Sequence, residues 1–313
     1  MAKPNYFREN LVLFGALAAN LGIAVAKFIA AGITGSSAML SEGFHSVVDS
    51  LNQVLLLYGK HRSGKPPNRK HPFGYGRELY FWAFVVAILV FAVGAGLSFY
   101  EGLTHWRRPE PLRDPTVNYI VLGIAIILEG TSWTIALREF LAAKGDQGIW
   151  SEFRRSKDPS VFVVLFEDTA ALAGLIVAAV GVWASHVFDA PRIDGMASMV
   201  IGGILAMVAA LLAREAKSLL IGESADTELV GKIRDLVEAK DWVTGVNHVR
   251  TIHTSPREIF VAISADLEDH ITIGEGEKFI EALETELRTE IPELSSIYVR
   301  PEAREDAARL TSD

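Results

Sequence analysis

The residues richest in chemistry are His45 and Asp49, four apart in the stretch SSAMLSEGFHSVVDSLN at 36–52. On a helix of 3.6 residues per turn, that spacing stacks an imidazole and a carboxylate on one face. The stretch sits inside a long apolar run, and an ionisable group at the centre of a bilayer costs about 2.5–3.5 kcal/mol. Two of them on one face suit a pair of ligands for a divalent metal ion. The plainer alternative is a hydrogen-bonded pair that locks helix packing. Asp168, in VVLFEDTAALAGLIVA, is the next candidate, with Ala170 and Gly174 spaced to let another helix approach closely. Glu167 points about 100° away from Asp168 on a helix and reads as a supporting or gating group, or as one facing the inner interface. Glu129, in ILEGTSWTIAL, reads as a fourth ligand or proton acceptor, or as the partner of Lys27 or of a hydroxyl.

These groups need elements to carry them. Six runs, at 11–33, 37–59, 81–100, 117–139, 161–187 and 195–213, are long enough to cross about 30 Å of hydrocarbon. The connection after the second run holds Lys60, Arg62, Lys65, Arg69, Lys70 and Arg77, and the one after the fourth holds Lys144, Arg154, Arg155 and Lys157. The first connection is almost uncharged, the fifth has Arg192, and Arg107, Arg108 and Arg113 of the third are outnumbered. The positive-inside rule then places both termini in the cytoplasm. At about 1.5 Å per residue, Asp49 and Glu129 fall roughly 15 Å from the inner face and Asp168 roughly 10 Å, with Asn20 at a similar level. Polar groups of four spans thus approach one layer.

The whole chain bounds the function. Its 313 residues are 50% hydrophobic with a mean hydropathy of +0.26, too apolar for an ordinary soluble domain. It has no cysteine, so no disulfide, thiolate metal site or thiol nucleophile. The net charge of −8, with basic loops and an acidic last third, excludes a nucleic-acid partner. No HExxH helix and no Ser/His/Asp set is evident, so an enzyme is not expected. The opening MAKPNYFREN leads into a span longer than a signal h-region, and no removable signal peptide is expected. After Gly222 the pattern changes to helix, strand, strand, helix, strand, with Pro256 and Arg257 at a hairpin turn, as in a small α+β domain. The polar tail from Glu302 is expected to be disordered.

GSSAMLSEGFHSVVDSLNQ, HPFGYGRE at the head of the third span, EDTAALAG in the fifth and the terminal α+β domain together resemble the cation diffusion facilitator family, over about residues 10–300. DPS…LFEDTAALAG, with EG in the fourth span, is most similar to its zinc transporter nine branch. The resemblance implies an α-helical membrane protein with six transmembrane helices and a C-terminal cytoplasmic ferredoxin-like domain. The implied boundaries are 1–221 for transport, 222–302 for dimerisation and 303–313 for the tail. It implies a homodimer in the cell (inner) membrane, multi-pass, exporting a divalent metal in exchange for protons by alternating access. Zn2+ is the favoured cargo, with Fe2+, Mn2+, Co2+ and Cd2+ as alternatives. The family site matches His45 and Asp49 of the second span and Asp168 of the fifth. The fifth-span partner four residues before Asp168 is Val164, which leaves Glu129, Glu167 or water to complete the set. The loop site of some members is reduced to His71 beside Asn68 and Tyr75, and the soluble-domain positions at Asn247, Ser264 and Val299 carry no His. A metal-gated channel, or a membrane scaffold or sensor with a vestigial site, are the rival readings.

Overall fold

The computed structural model describes residues 11–110, 113–144, 159–305 and 307. The opening ten residues, the basic Arg154, Arg155 and Lys157, and most of the 303–313 tail lie outside the described residues. Six long helices come first: α1 Leu11–Thr34, α2 Ser37–Ser63, α3 Glu78–Arg107, α4 Thr116–Lys144, α5 Pro159–Val187 and α6 Arg192–Ile221. Each expected span lies within one of them. Among the described residues, α3, the Thr116–Arg138 part of α4, the Val163–Val187 part of α5 and α6 are long and apolar enough to cross a membrane. The described apolar part of α1 is shorter, Asn20–Thr34. At 27 residues, α2 is long enough to cross, about 40 Å. It falls short in apolarity because it carries Glu42, His45, Asp49 and Asn52.

Small residues decide which helices touch. A Cβ on Gly102 of α3 would lie 2.6 Å from the Gly195 carbonyl oxygen of α6, so the two backbones are in contact there. A Cβ on Gly174 of α5 would collide with the Glu42 carboxylate of α2, and one on Gly181 with Ala197 of α6. Midway along α3, residues Val90–Ala95 form a π-helical turn beside Gly96. The sequence pattern, apolar all round, does not announce it.

The second unit comprises α7 Thr227–Glu238, β1 Val243–Ser255, β2 Glu258–Leu267, α8 Ile273–Glu290 and β3 Leu294–Pro301. The expected order is met, with Pro256 and Arg257 linking β1 to β2. The strands lie in the order β1-β2-β3, the first pair antiparallel and the second parallel, with α8 as the crossover. Alternate residues Ile259, Val261, Ile263 and Ala265 of β2 are buried against Ile233 and Val237 of α7 and Leu283 and Leu287 of α8. The short 63–77 connection belongs to this unit and covers the other face. Phe73 meets Phe260 edge-on at 5.6 Å, and Phe260 meets Tyr298 at 5.4 Å. This explains the glycines of HPFGYGRE. Gly74 turns at φ +81, and a Cβ on Gly76 would collide with the Thr254 carbonyl and the Ser255 side chain of β1.

Two predictions follow from this unit. Gly76→Ala should cost about 1–3 kcal/mol of local stability by overpacking, read as amide exchange over 63–77 at least about tenfold faster than wild type. The second concerns the capping box at the start of α8. The Thr272 backbone N–H and hydroxyl both donate to the Glu275 carboxylate, at 3.0 and 2.7 Å, and hold its pKa below the ordinary 4.5. A depressed carboxylate pKa contributes stability that is fully present above 4.5 and lost as pH falls through the lower folded value. Protection of the first-turn amides of α8 should therefore fall with acid in wild type, and Glu275→Gln should flatten that dependence.

Candidate functional site

The site is built on one face of α2. Glu42, His45, Ser46, Asp49 and Asn52 recur at helical spacing, and all but Asp49 are buried. The helix is started by a residue from another element. Asp194, fully buried in the first turn of α6, accepts from the Ser36 hydroxyl at 2.7 Å, the Ser37 N–H at 2.5 Å and the Ala38 N–H at 3.2 Å. A carboxylate there satisfies orphan amides and meets the positive end of the helix dipole. The Ser41 and Ser198 hydroxyls bond to each other one turn further on, and Ser198 donates to the Ser98 carbonyl of α3 at 2.8 Å.

His45 lies about 12 Å along α2 from Ser37, and Asp49 about 18 Å. His45 Nδ1 stands 3.4 Å from Asp49 Oδ1, with 2% and 15% of the two side chains exposed. Among the described residues neither ring nitrogen of His45, nor that Asp49 oxygen, has a hydrogen-bond partner. Buried polar atoms are ordinarily satisfied; these three are among the described side-chain atoms that are not, with Glu42 Oε1 and Asn52 Oδ1 on the same face of α2. Glu129 of α4 and Glu167 and Asp168 of α5 lie within electrostatic reach of Asp49, as does Lys27 of α1.

The candidates differ in how they are held. Glu167 is buried and accepts from Asn52 Nδ2 of α2 at 2.6 Å. Asp168 is half-buried and accepts from the Ser132 hydroxyl of α4 at 3.1 Å, next to the 3.0 Å bond from Trp133 Nε1 to the Thr169 hydroxyl. The two acids therefore face different helices. Glu129 is also half-buried and feels Lys27, Asp168 and Glu42. Lys27 itself bonds to Glu42 and Ser46 rather than to Glu129. Val164, also half-buried, brings no ligand atom. Among the described residues, no three His, Asp or Glu side chains stand close enough to hold one ion together in this conformation.

Sequence reasoning passed over Asn52, Ser132, Glu42 and Asp194. Asn52 and Glu42 could have been found by extending the His45–Asp49 periodicity one turn each way. Ser132 and Asp194 depend on which helices are neighbours, and nothing in their own segments announces it. Elsewhere, His71 stacks on Tyr75 with ring centroids 4.3 Å apart, and Asn68 Nδ2 donates to the Tyr75 hydroxyl at 2.7 Å. In the second unit, Asn247 donates to Ser264 at 3.1 Å and Ser264 to Glu302 at 2.6 Å, so these positions are knit into a hydrogen-bond network.

Comparison with known proteins agrees with this arrangement. The model of the cation efflux transmembrane domain matches residues 13–221, and that of the cation efflux protein cytoplasmic domain matches 225–304. The proton-coupled zinc antiporter SLC30A9, mitochondrial, of Homo sapiens is 33% identical over 227 residues, 72% of this chain and 40% of that protein. Metal tolerance protein C4 of Arabidopsis thaliana is 31% identical over 204 residues, 63% of this chain and 44% of that protein. The cation-efflux pump FieF of Cronobacter sakazakii is 24% identical over 293 residues, 92% of each chain. The chain spans less than half the length of the zinc antiporter and metal tolerance relatives. With both of its parts matched and its polar residues gathered inside an apolar bundle, the chain belongs to the cation efflux family, multi-pass membrane transporters of cations and not enzymes.

Proposed function

We propose that the protein is a divalent metal/proton antiporter that exports Zn2+ from the cytoplasm by alternating access. The observation that carries the reading is the cluster around Asp49. An imidazole and carboxylates from α2, α4 and α5 act on one another inside an apolar bundle, and the pair on α2 is left without hydrogen-bond partners. Imidazole and carboxylate are ligands that a zinc ion accepts and can leave. His45, Asp49 and Asp168 are the first ligands in this reading, and Glu129 or Glu167 completes the set in place of Val164. No three of these groups are gathered in the conformation described, so binding needs acid side chains of α4 or α5 to turn toward His45 and Asp49.

The chain's own groups account for the exchange. His45 and the carboxylates carry lone pairs that either a proton or a metal ion can occupy. A proton and a metal ion cannot share the same lone pair, so each displaces the other. The names of the SLC30A9 relatives, proton-coupled zinc antiporters, support both the cargo and the counter-ion.

In the same reading both termini lie in the cytoplasm, transport belongs to 1–221, and a cytoplasmic dimerisation domain occupies 222–302. Residues 303–313 form a tail, of which 304, 305 and 307 are helical among the described residues. The homodimer rests on the match of 225–304 to the family's cytoplasmic domain. Location in a cell (inner) membrane is supported by the full-length match to a bacterial efflux pump.

The reading is tested in proteoliposomes with an imposed pH gradient, following zinc uptake and proton release together. His45→Ala and Asp49→Ala should each lower zinc uptake at least about a hundredfold while the protein stays monodisperse, and Asp168→Asn should lower it at least about tenfold. Normal uptake by both α2 variants would mean the site is elsewhere. Zinc flux without proton counterflow would favour a channel, and no flux at all from well-folded wild type would favour a scaffold or sensor.

A further inference from the structure

Lys27 is the one described basic side chain buried inside the helical unit, with 1% of its side chain exposed. Its ammonium lies 3.0 Å from Glu42 Oε2 and 2.8 Å from the Ser46 hydroxyl. Glu42 and Ser46 are four apart on α2, on the face that continues to His45 and Asp49. The ion pair is therefore about one turn from His45, on the side toward the α1–α2 connection. The other carboxylate oxygen of Glu42 is pressed toward Gly174 of α5, where even a methyl group would collide. The ion pair thus ties α1 to α2, and the unpartnered oxygen of Glu42 packs against α5. Beyond it, still toward the α1–α2 connection, come the Ser41–Ser198 bond and the Asp194 cap, which tie α2 to α6. Going the other way along α2 from His45, the tie is a neutral donor and not an ion pair, Asn52 Nδ2 to the Glu167 carboxylate of α5 at 2.6 Å, and Asp49 and Asp168 there are only partly buried.

We infer that Lys27 and Glu42 form a latch that closes the α1–α2 side of the site when no metal is bound. Building on the proposed antiport and orientation, this is the release side. Lys27 is a positioning residue and not a metal ligand. Paired with Glu42 about one turn from His45, its amine stands between the site and the α1–α2 connection. A divalent ion moving outward past His45 meets this ammonium. The repulsion favours parting the pair only once the metal occupies the site. The latch therefore blocks protons from crossing without metal exchange.

The test compares metal-free proton leak in proteoliposomes holding a pH gradient. Breaking one partner of a buried pair leaves an uncompensated charge, so the first variant removes both charges at similar volume, Lys27→Met with Glu42→Gln. It should stay monodisperse in detergent, dissipate the gradient at least fivefold faster than wild type, and carry less zinc per proton. A milder variant, Ser46→Ala, keeps the ion pair, loses one hydroxyl, and should leak two- to threefold faster whether or not the double variant folds. If Ser46→Ala holds the gradient as wild type does, or if a folded double variant does, the latch is refuted and the pair only braces the helices. Wild-type vesicles that move no protons with zinc would overturn the antiport reading instead, and the metal-free leak would still decide the latch.

Discussion

Charge placed inside an apolar bundle has to be answered by something, and here the answers run out. Five carboxyl groups, Glu42, Asp49, Glu129, Glu167 and Asp168, lie in the helical unit within electrostatic reach of one another. The one buried ammonium among the described residues is Lys27, and it is committed to Glu42. Neutral donors meet two of the others, Asn52 for Glu167 and Ser132 for Asp168. What remains is Glu129 of α4, and an imidazole and a carboxylate on α2 with bare polar atoms. Such a deficit of positive charge is costly in a membrane unless protons or a cation relieve it. That deficit is the physical content of the site, and a divalent ion is the ligand that fits its chemistry.

The bundle is arranged to keep the deficit in one place. Glycines at α3–α6 and α5–α6 contacts bring backbones together. Many of the buried polar ties converge on α2. Asp194 fixes its start, Ser198 its second turn, Lys27 its third, and Asn52 reaches α5 on the far side of the site. In the second unit, the 63–77 connection is seated by Phe73 and two glycines on the sheet face opposite α7 and α8. The segment that leaves α2 for α3 therefore packs as part of the second unit.

Much of this could be read in the residues. The six spans follow from length and apolarity, the second unit from a change to 3.6 and 2.0 periods, and His45–Asp49 from a spacing that packing does not explain. Asp168 and Glu129 were legible because charge in an apolar run is rare. The partners were not. Ser132 sits in an ordinary helical segment, and only the contact of α4 with α5 makes it the donor to Asp168. Lys27 is one of the partners the sequence allows for Glu129, yet it bonds Glu42, because a charge in an apolar run does not reveal which helix face it meets. The π-helical turn at Val90–Ala95 leaves no trace in a run that is apolar on every side.

The most direct check on the central claim is where the cargo sits. Crystals of the full chain soaked in zinc, with anomalous scattering collected at the zinc edge, should show a peak about 2.0–2.2 Å from a His45 ring nitrogen and an Asp49 carboxylate oxygen, with an acid of α4 or α5 drawn in to join them. A zinc peak held by other residues, with His45 and Asp49 still unligated, would contradict the account.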